Sequence, residues 1–219
     1  DRCRLLGARA SGAAIDVTDA AAMAAWINAA DALAPLELVI ANAGVSASGT
    51  RALSSGDGPA VTRQVFRINL EGVLNTVLPA LERIRARPAL GKRLRGQVAL
   101  VGSLAGLRGM PGSPAYSASK AAVRAWGQAL AIRLKPERIG VAVVLPGFVD
   151  TPMTRRNPFP MPMLMTPDRA ARIIRRRLAR GATRIAFPWP LVFGAWLISV
   201  LPGFIADRIL ARSPVKSDV

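Results

Sequence analysis

The chain has 219 residues, of which 51% are hydrophobic, and its formal net charge is +17. This length is enough for one ordinary domain with a substantial core. One Cys and no His exclude a disulfide framework, histidine-based triads and most transition-metal sites. Acid–base chemistry must therefore come from Tyr, Lys, Asp or Glu, and Tyr116 is the single tyrosine of the sequence.

The positive charge comes mainly from arginine in an Ala-rich chain, which we attribute to biased residue usage rather than to a nucleic-acid site. No aromatic interleaving or recognition motif accompanies it, and we expect no nucleic-acid partner. The densest basic run, residues 169–184, has apolar residues at helical spacing. It predicts a solvated helix face, with contact to an anionic membrane surface as the alternative.

The first part of the chain alternates strands and helices, which predicts a parallel α/β sheet. In order, the patterns predict a helix end and turn over 1–12, a buried strand over 13–17, a helix over 18–33 capped by Thr18 or Asp19, a strand over 36–44, a Ser/Gly-rich loop over 46–58 and a long helix over 59–87.

The second part continues the alternation. It predicts a basic loop over 88–96, a strand over 97–103, a helix from Tyr116 to about Lys135, a strand over 139–147, a Pro- and Met-rich segment over 152–167, an Arg-rich helix over 168–180 and a last strand over 183–187. The segment 152–167 is predicted to cover a greasy substrate pocket, with a disordered linker as the alternative.

The stretch from Ser103 to Lys120 carries the residues best suited to acid–base chemistry. Tyr116 and Lys120 are four residues apart in a predicted helix, so their side chains share one face. A neighbouring ammonium favours a phenolate, and we expect Lys120 to lower the pKa of Tyr116. Ser103 follows an apolar strand, at the carboxyl end where ligands bind in open α/β sheets.

This Ser and Tyr-x-x-x-Lys arrangement resembles the short-chain dehydrogenase/reductase family. Four further motifs occur in the family's order: Asp16-Val17, Asn42-Ala43-Gly44, Asn69-x-x-Gly72 and Pro146-Gly147-x-x-x-Thr151. The resemblance implies a catalytic set of Asn69, Ser103, Tyr116 and Lys120. In that set Asn69 distorts its helix locally and holds a relay water.

The resemblance also implies an NAD or NADP site, with NADP slightly favoured. The residues it places at the cofactor are Asp16, Val17, Asn42, Ala43, Gly44, Tyr116, Lys120, Pro146, Gly147 and Thr151. Lys120 would bind the nicotinamide ribose hydroxyls, and Thr151 would help to anchor the carboxamide. The resemblance implies no metal.

The fold implied by the resemblance is a Rossmann-like, doubly wound parallel sheet in three α/β/α layers, with strand order 3-2-1-4-5-6-7. The family's glycine-rich pyrophosphate turn does not occur in this sequence. By family register, strands 1 and 2 are missing, and we expect the sequence to be a fragment of a longer protein. We assign residues 1–187 to the Rossmann-like domain and 188–219 to a hydrophobic and basic extension.

The function implied is hydride transfer between an alcohol and a carbonyl, on a substrate that the apolar segments suggest is lipophilic. The alternative is a non-catalytic protein or inactive fragment of the same fold that acts as a membrane-associated module and binds a lipid or a partner. We expect a cytoplasmic homodimer or homotetramer that pairs through its long helices.

The apolar tail has no charged residue from Ile185 to Ala206, but its prolines argue against a membrane-spanning helix. The tail is expected to cover the pocket, to lie in a membrane interface, or to pack on its own domain or a sister subunit.

Overall fold

The computed structural model describes residues 2–46, 58–88, 91, 93–157 and 159–211. Its described strands form one parallel sheet in the order β1-β2-β3-β4. Their bounds are β1 Leu38–Ala41, β2 Gly96–Val101, β3 Ile139–Pro146 and β4 Arg184–Phe187. This sheet confirms the predicted fold class, and its order is the one expected for family strands 4-5-6-7.

The helices follow the predicted alternation with ends shifted by a few residues. They are α1 Arg2–Leu5, α2 Ala20–Leu33, α3 Pro59–Phe66, α4 Gly72–Arg85, α5 Pro114–Arg133, α6 Pro167–Ala179, α7 Trp189–Val200 and α8 Gly203–Leu210. Asp19 caps α2 by accepting the Ala22 amide at 3.0 Å, and Thr166 caps α6. Most of the predicted loop 46–58, residues 47–57, lies outside the described residues.

Alternate residues of the central strands face two separate cores. Val98, Leu100 and Val141 pack with α4 and α5 on one side of the sheet. Ala99 and Ala142 pack with α6 on the other side. Because side chains of a strand alternate between its faces, these two clusters establish three layers, with the sheet in the middle.

The strand predicted over residues 13–17 is wrong, since this segment has no sheet hydrogen bonds. A strand needs a hydrogen-bonded neighbour, and among the described residues none lies beside it or beyond the outer edge of β1. The segment is held by a helix instead. The Asn75 side chain on α4 donates to the Val17 carbonyl at 2.9 Å, and the Val17 side chain lies over Gly72.

The predicted long helix is divided by a π-helical segment, Arg67–Glu71, between α3 and α4. This segment confirms the local distortion expected at Asn69. The extra residue of a π turn changes which side chains face inward, and Asn69 is fully buried there.

The C-terminal apolar segment forms two short helices separated at Leu201 and Pro202. Within the described residues, no helix is both long enough and apolar enough to cross a bilayer. The inner side of α7, through Leu191, Val192 and Ala195, packs on β3 and on the turn that follows β2.

Candidate active site

Ser103 stands directly beyond β2, at the carboxyl end of the sheet. Its side-chain oxygen accepts the Ala105 amide at 3.1 Å and caps a short 3₁₀ turn, Leu104–Gly106. The hydroxyl also forms a side-chain hydrogen bond with Tyr116. Because the amide of Ala105 donates to Ser103, the serine proton is free to point at the phenol oxygen or at a substrate oxygen.

Gly106 lets the Ser103 turn pack closely against α5. A Cβ on this glycine would lie 2.7 Å from the carbonyl carbon of Lys120, a distance that backbone cannot accommodate. Arg124 reinforces the contact by donating to the Gly106 carbonyl at 3.0 Å. The lack of a side chain at Gly106 therefore sets how closely Ser103 approaches the helix that carries Tyr116.

Tyr116 and Lys120 share one face of α5, as their spacing predicted. The Lys120 ammonium nitrogen lies 5.9 Å from the Tyr116 ring centre and donates to the Val101 carbonyl at 2.8 Å. Lys120 is only 3% exposed, and this burial lowers its pKa to about 8.

The expectation that Lys120 lowers the pKa of Tyr116 is not met in this structure. Burial raises the phenol pKa above its ordinary value, and the hydrogen bond from Ser103 offsets only part of that rise. The cause is that desolvation penalises the phenolate more than its polar neighbours favour it. A tyrosine in this state is protonated at neutral pH.

Asn69 joins three parts of the site. Its side-chain oxygen accepts the Val45 amide at 2.7 Å, while its amide nitrogen donates to the Val45 carbonyl at 2.9 Å and to the Ser119 hydroxyl at 3.0 Å. The π segment is thereby tied to the chain after β1 and to α5. These bonds use both N–H groups of the Asn69 amide. The relay water that the family resemblance places at Asn69 stays a prediction.

Gly44 lies beside these groups. A Cβ at this position would come within 3.2 Å of both the Asn69 side-chain oxygen and the Lys120 nitrogen. The predicted Asn42-Ala43-Gly44 motif thus reaches the same edge of the sheet as the catalytic candidates.

The remaining predicted residues lie around this centre. Pro146 ends β3, and the Gly147 amide donates to the Phe187 carbonyl at 2.8 Å. Thr151 is hydrogen-bonded to Thr154: the Thr154 hydroxyl accepts a hydrogen bond from the Thr151 amide at 2.9 Å. Asp16 and Val17, also predicted to lie at the cofactor, are elsewhere, on the segment held by α4, where Asp16 accepts a hydrogen bond from the Thr18 amide at 2.9 Å. Hydrogen bonding from Thr18 lowers the pKa of Asp16.

Sequence reasoning missed several residues that position the site, namely Val45, Val101, Gly106, Ser119 and Arg124. Val45 and Val101 act through backbone groups, which no side-chain pattern marks. Ser119 lies between Tyr116 and Lys120 in the sequence, but Ser117 is also buried on this helix, so no sequence signal singles out Ser119.

Comparison with known proteins identifies the family. The family described as short chain dehydrogenase matches residues 2–159. An uncharacterized oxidoreductase of Myxococcus xanthus is 35% identical over 213 residues, which cover 97% of this chain and 81% of that protein.

Solved structures agree in fold. A short chain dehydrogenase from Mycobacterium paratuberculosis bound to NAD is 27% identical, with a TM-score of 0.65 over 84% of this chain and 74% of that one. A short chain dehydrogenase from Burkholderia cenocepacia in complex with NADP is 23% identical, with a TM-score of 0.70 over 92% of this chain and 79% of that one. With its matched residues, parallel sheet and assembled Ser, Tyr, Lys and Asn side chains, the chain belongs to the short-chain dehydrogenase family of oxidoreductases.

Proposed function

We propose that the protein is an NAD(P)-dependent oxidoreductase that interconverts an alcohol and a ketone or aldehyde. The observation that carries this proposal is the convergence of Ser103, Tyr116, Lys120 and Asn69 at the carboxyl end of the sheet. The nicotinamide ring, when bound, supplies or accepts the hydride.

The proposed roles follow from the state of each side chain. In reduction, Tyr116 donates its proton to the carbonyl oxygen, because its raised pKa keeps the phenol protonated at neutral pH. Ser103 donates a hydrogen bond to the same oxygen and orients it. Asn69 positions the helix that carries the pair by bonding to Ser119.

The described residues fit the ribose and nicotinamide end of the cofactor. Lys120 carries three N–H groups, and its described acceptor is the Val101 carbonyl, so N–H groups remain for the ribose hydroxyls. The space left by the missing Cβ of Gly44 lies beside that ammonium. Asn42, Ala43, Pro146, Gly147 and Thr151 are the residues we assign around it, and the bound NAD of the 27% identical relative supports the assignment.

A lipophilic substrate is proposed from the apolar segment 152–167. Met165 pairs with the chain near Val149 and closes the base of this segment, while Met163 and Leu164 are exposed near its end. Phe159 stacks edge-on against Phe148 at 6.2 Å. We expect lipophilic ketones to be reduced with higher kcat/KM than small polar carbonyls, and the reverse order would reject this substrate class.

Tyr116→Phe tests the reaction. We expect kcat for ketone reduction to fall at least about 100-fold, the usual loss when a general acid is removed. NADH and NADPH should still bind, as measured by cofactor fluorescence, because Lys120 and the other residues assigned to the cofactor are retained. Ser199→Ala, which removes a hydroxyl bonded within α7, is the matched control and should keep full activity. Full turnover by Tyr116→Phe would contradict the assignment.

The non-catalytic alternative, a module of the same fold that binds a lipid or a partner, is favoured by the exposed apolar residues of α7 and α8. It predicts that neither NADH nor NADPH binds to the protein. Binding of either cofactor would reject it, whatever the substrate.

A further inference from the structure

The outer side of the two C-terminal helices is apolar and exposed. Its members, which we call the α7–α8 face, are Trp189, Phe193, Trp196, Val200, Phe204 and Ile209. Trp189 and Phe204 are 76% and 78% exposed, and Phe193 packs against Trp196 with ring centres 5.9 Å apart. Aromatic side chains of this size are rarely left in water together without a function.

The spacing of the α7 members arranges four of these residues, Trp189, Phe193, Trp196 and Val200, as one stripe. On α7 they follow each other by four, three and four positions, which is the period of one helix face. The opposite face of α7 packs on Leu104 and Leu107, in and after the 3₁₀ turn that Ser103 caps. The helix is therefore fixed to the fold on one side and leaves its other apolar side uncovered.

The charges around the α7–α8 face favour an anionic lipid surface over a second copy of the chain as its partner. Asp207 is the one acidic residue in the sequence from 185 to 211, and it is ion-paired to Arg108 at 3.2 Å. Arg208 is exposed next to it. Two copies meeting through this face would bring together two chains that each carry a net charge of +17, and their like charges would repel. An anionic lipid surface supplies the missing negative charge.

We propose that the α7–α8 face docks the protein onto anionic membrane surfaces, with Trp189, Phe193 and Trp196 in the headgroup region. Tryptophan favours this depth because its ring is amphipathic. An exposed apolar face with a basic residue beside it, here Arg208, on a strongly basic chain suits binding at an anionic interface. The docked face and the Ser103 turn lie on two sides of the same helix. The candidate active site would then sit one helix away from the bilayer.

Tryptophan fluorescence tests the position of the face. The probes are vesicles of phosphatidylcholine with and without phosphatidylglycerol, containing bromine-labelled lipid as a quencher. We expect the full chain to sediment with the anionic vesicles and its emission to be quenched. Trp189→Phe combined with Trp196→Phe should remove most of the quenching, whereas Trp26→Phe on α2 should retain it.

Affinity is tested with polar substitutions. Phe193→Ser combined with Trp196→Ser should weaken binding to anionic vesicles at least about tenfold, because the buried apolar area is lost. Ile132→Ser, at a 78% exposed position on α5, is the matched control and should bind as the unaltered protein does. Circular dichroism melts establish that each variant is folded.

Three results would overturn the proposal. The first is failure of the protein to sediment with either kind of vesicle, and the second is quenching that persists in the variant without Trp189 and Trp196. The third is dimerisation of the protein in the absence of lipid that Phe193→Ser combined with Trp196→Ser abolishes. That result would assign the face to a second copy of the chain. None of these measurements uses turnover, so their failure leaves the proposed reaction standing.

Discussion

At the scale of single residues, burial shifts Tyr116 and Lys120 toward their neutral forms. It raises the pKa of Tyr116 and lowers that of Lys120 to about 8. At pH 7 the pair is still a phenol beside an ammonium, since both pKa values lie above 7. This state suits a proton donor for reduction, whereas oxidation requires the phenolate and should become faster as the pH rises.

The buried Lys120 predicts a stability change with pH. Its folded pKa of about 8 is below the ordinary 10.5, so the unfolded chain binds more protons between these values, and unfolding free energy must rise with pH there. Between about pH 8 and 10 the rise relative to Lys120→Met should be about 2 kcal/mol. Urea unfolding at several pH values measures it, and parallel curves for the two proteins would contradict the prediction.

Asn69 should contribute more to stability than other polar residues of its helix. Asn69→Ala leaves both backbone groups of Val45, which is half-buried, without this partner and also removes the buried bond to Ser119. Together these losses should cost about 2–4 kcal/mol of unfolding free energy. Asn75→Ala, the matched control, loses one bond to the Val17 carbonyl and should cost about 1 kcal/mol. Equal losses in urea unfolding would mean that Asn69 does not join the site as described.

At the scale of elements, the site depends on how closely the Ser103 turn lies against α5. Neither element alone places Ser103 at Tyr116; the contact at Gly106 does. A second glycine, Gly127, lets the same helix approach β3, since a Cβ there would lie 2.6 Å from the Val143 side chain. Small residues on both sides of α5 thus fix its position between the sheet and the turn.

Gly106→Ala should separate the turn from the helix. The added methyl would meet the Lys120 backbone, weaken the Ser103 hydrogen bond and so raise the Tyr116 pKa further. Because Tyr116 is the sole tyrosine, its ionisation can be followed directly by ultraviolet absorbance. Gly109→Ala in the same loop has nothing within 4 Å of its new methyl and should leave the titration unchanged. Identical titrations for both variants would argue against this role of Gly106.

At the scale of the whole molecule, α2 is attached to the fold through α4 rather than through the sheet. Met23 and Ile27 are its buried side chains, and Asp31 near its end pairs with Arg83 and Arg87. Burial alone would raise the pKa of Asp31, but the Leu36 amide and the two arginines outweigh it and lower the pKa.

This ion pair predicts a loss of stability in acid. A carboxyl group whose folded pKa is below its unfolded value stabilises the fold above the unfolded pKa, and that contribution disappears as the pH falls through the folded pKa. Asp31→Asn should therefore be less stable at neutral pH by about 2 kcal/mol, and the difference should disappear as the pH falls through the lowered folded pKa of Asp31. Glu137→Gln, which breaks the more exposed pair with Arg85, should have a smaller effect. A difference in unfolding free energy between Asp31→Asn and the unaltered protein that stays constant across pH would contradict this role of the Asp31 ion pairs.

The sequence alone predicted the parallel sheet and named the side chains that meet at its carboxyl end. Long apolar runs such as 139–146 form strands wherever they meet partners, and the spacing of Tyr116 and Lys120 fixes their shared face on any helix. The strand predicted over 13–17 failed because pairing is a property of two segments, not one. Gly106, Val45 and Ser119 were not predictable in their roles because each acts through an approach between elements distant in the chain.

The π segment has a consequence for how this chain can vary in evolution. A regular α-helix turns about 100° per residue, so deleting one residue from Arg67–Glu71 would rotate α3 by that angle relative to α4. Val61 and Val65 would then leave the cluster they form with Ala115, and Asn69 would leave Val45. Length changes are usually tolerated in loops and rarely in helices. Because Asn69 lies in this segment, a one-residue deletion there should damage the site more than a substitution of a neighbouring residue does.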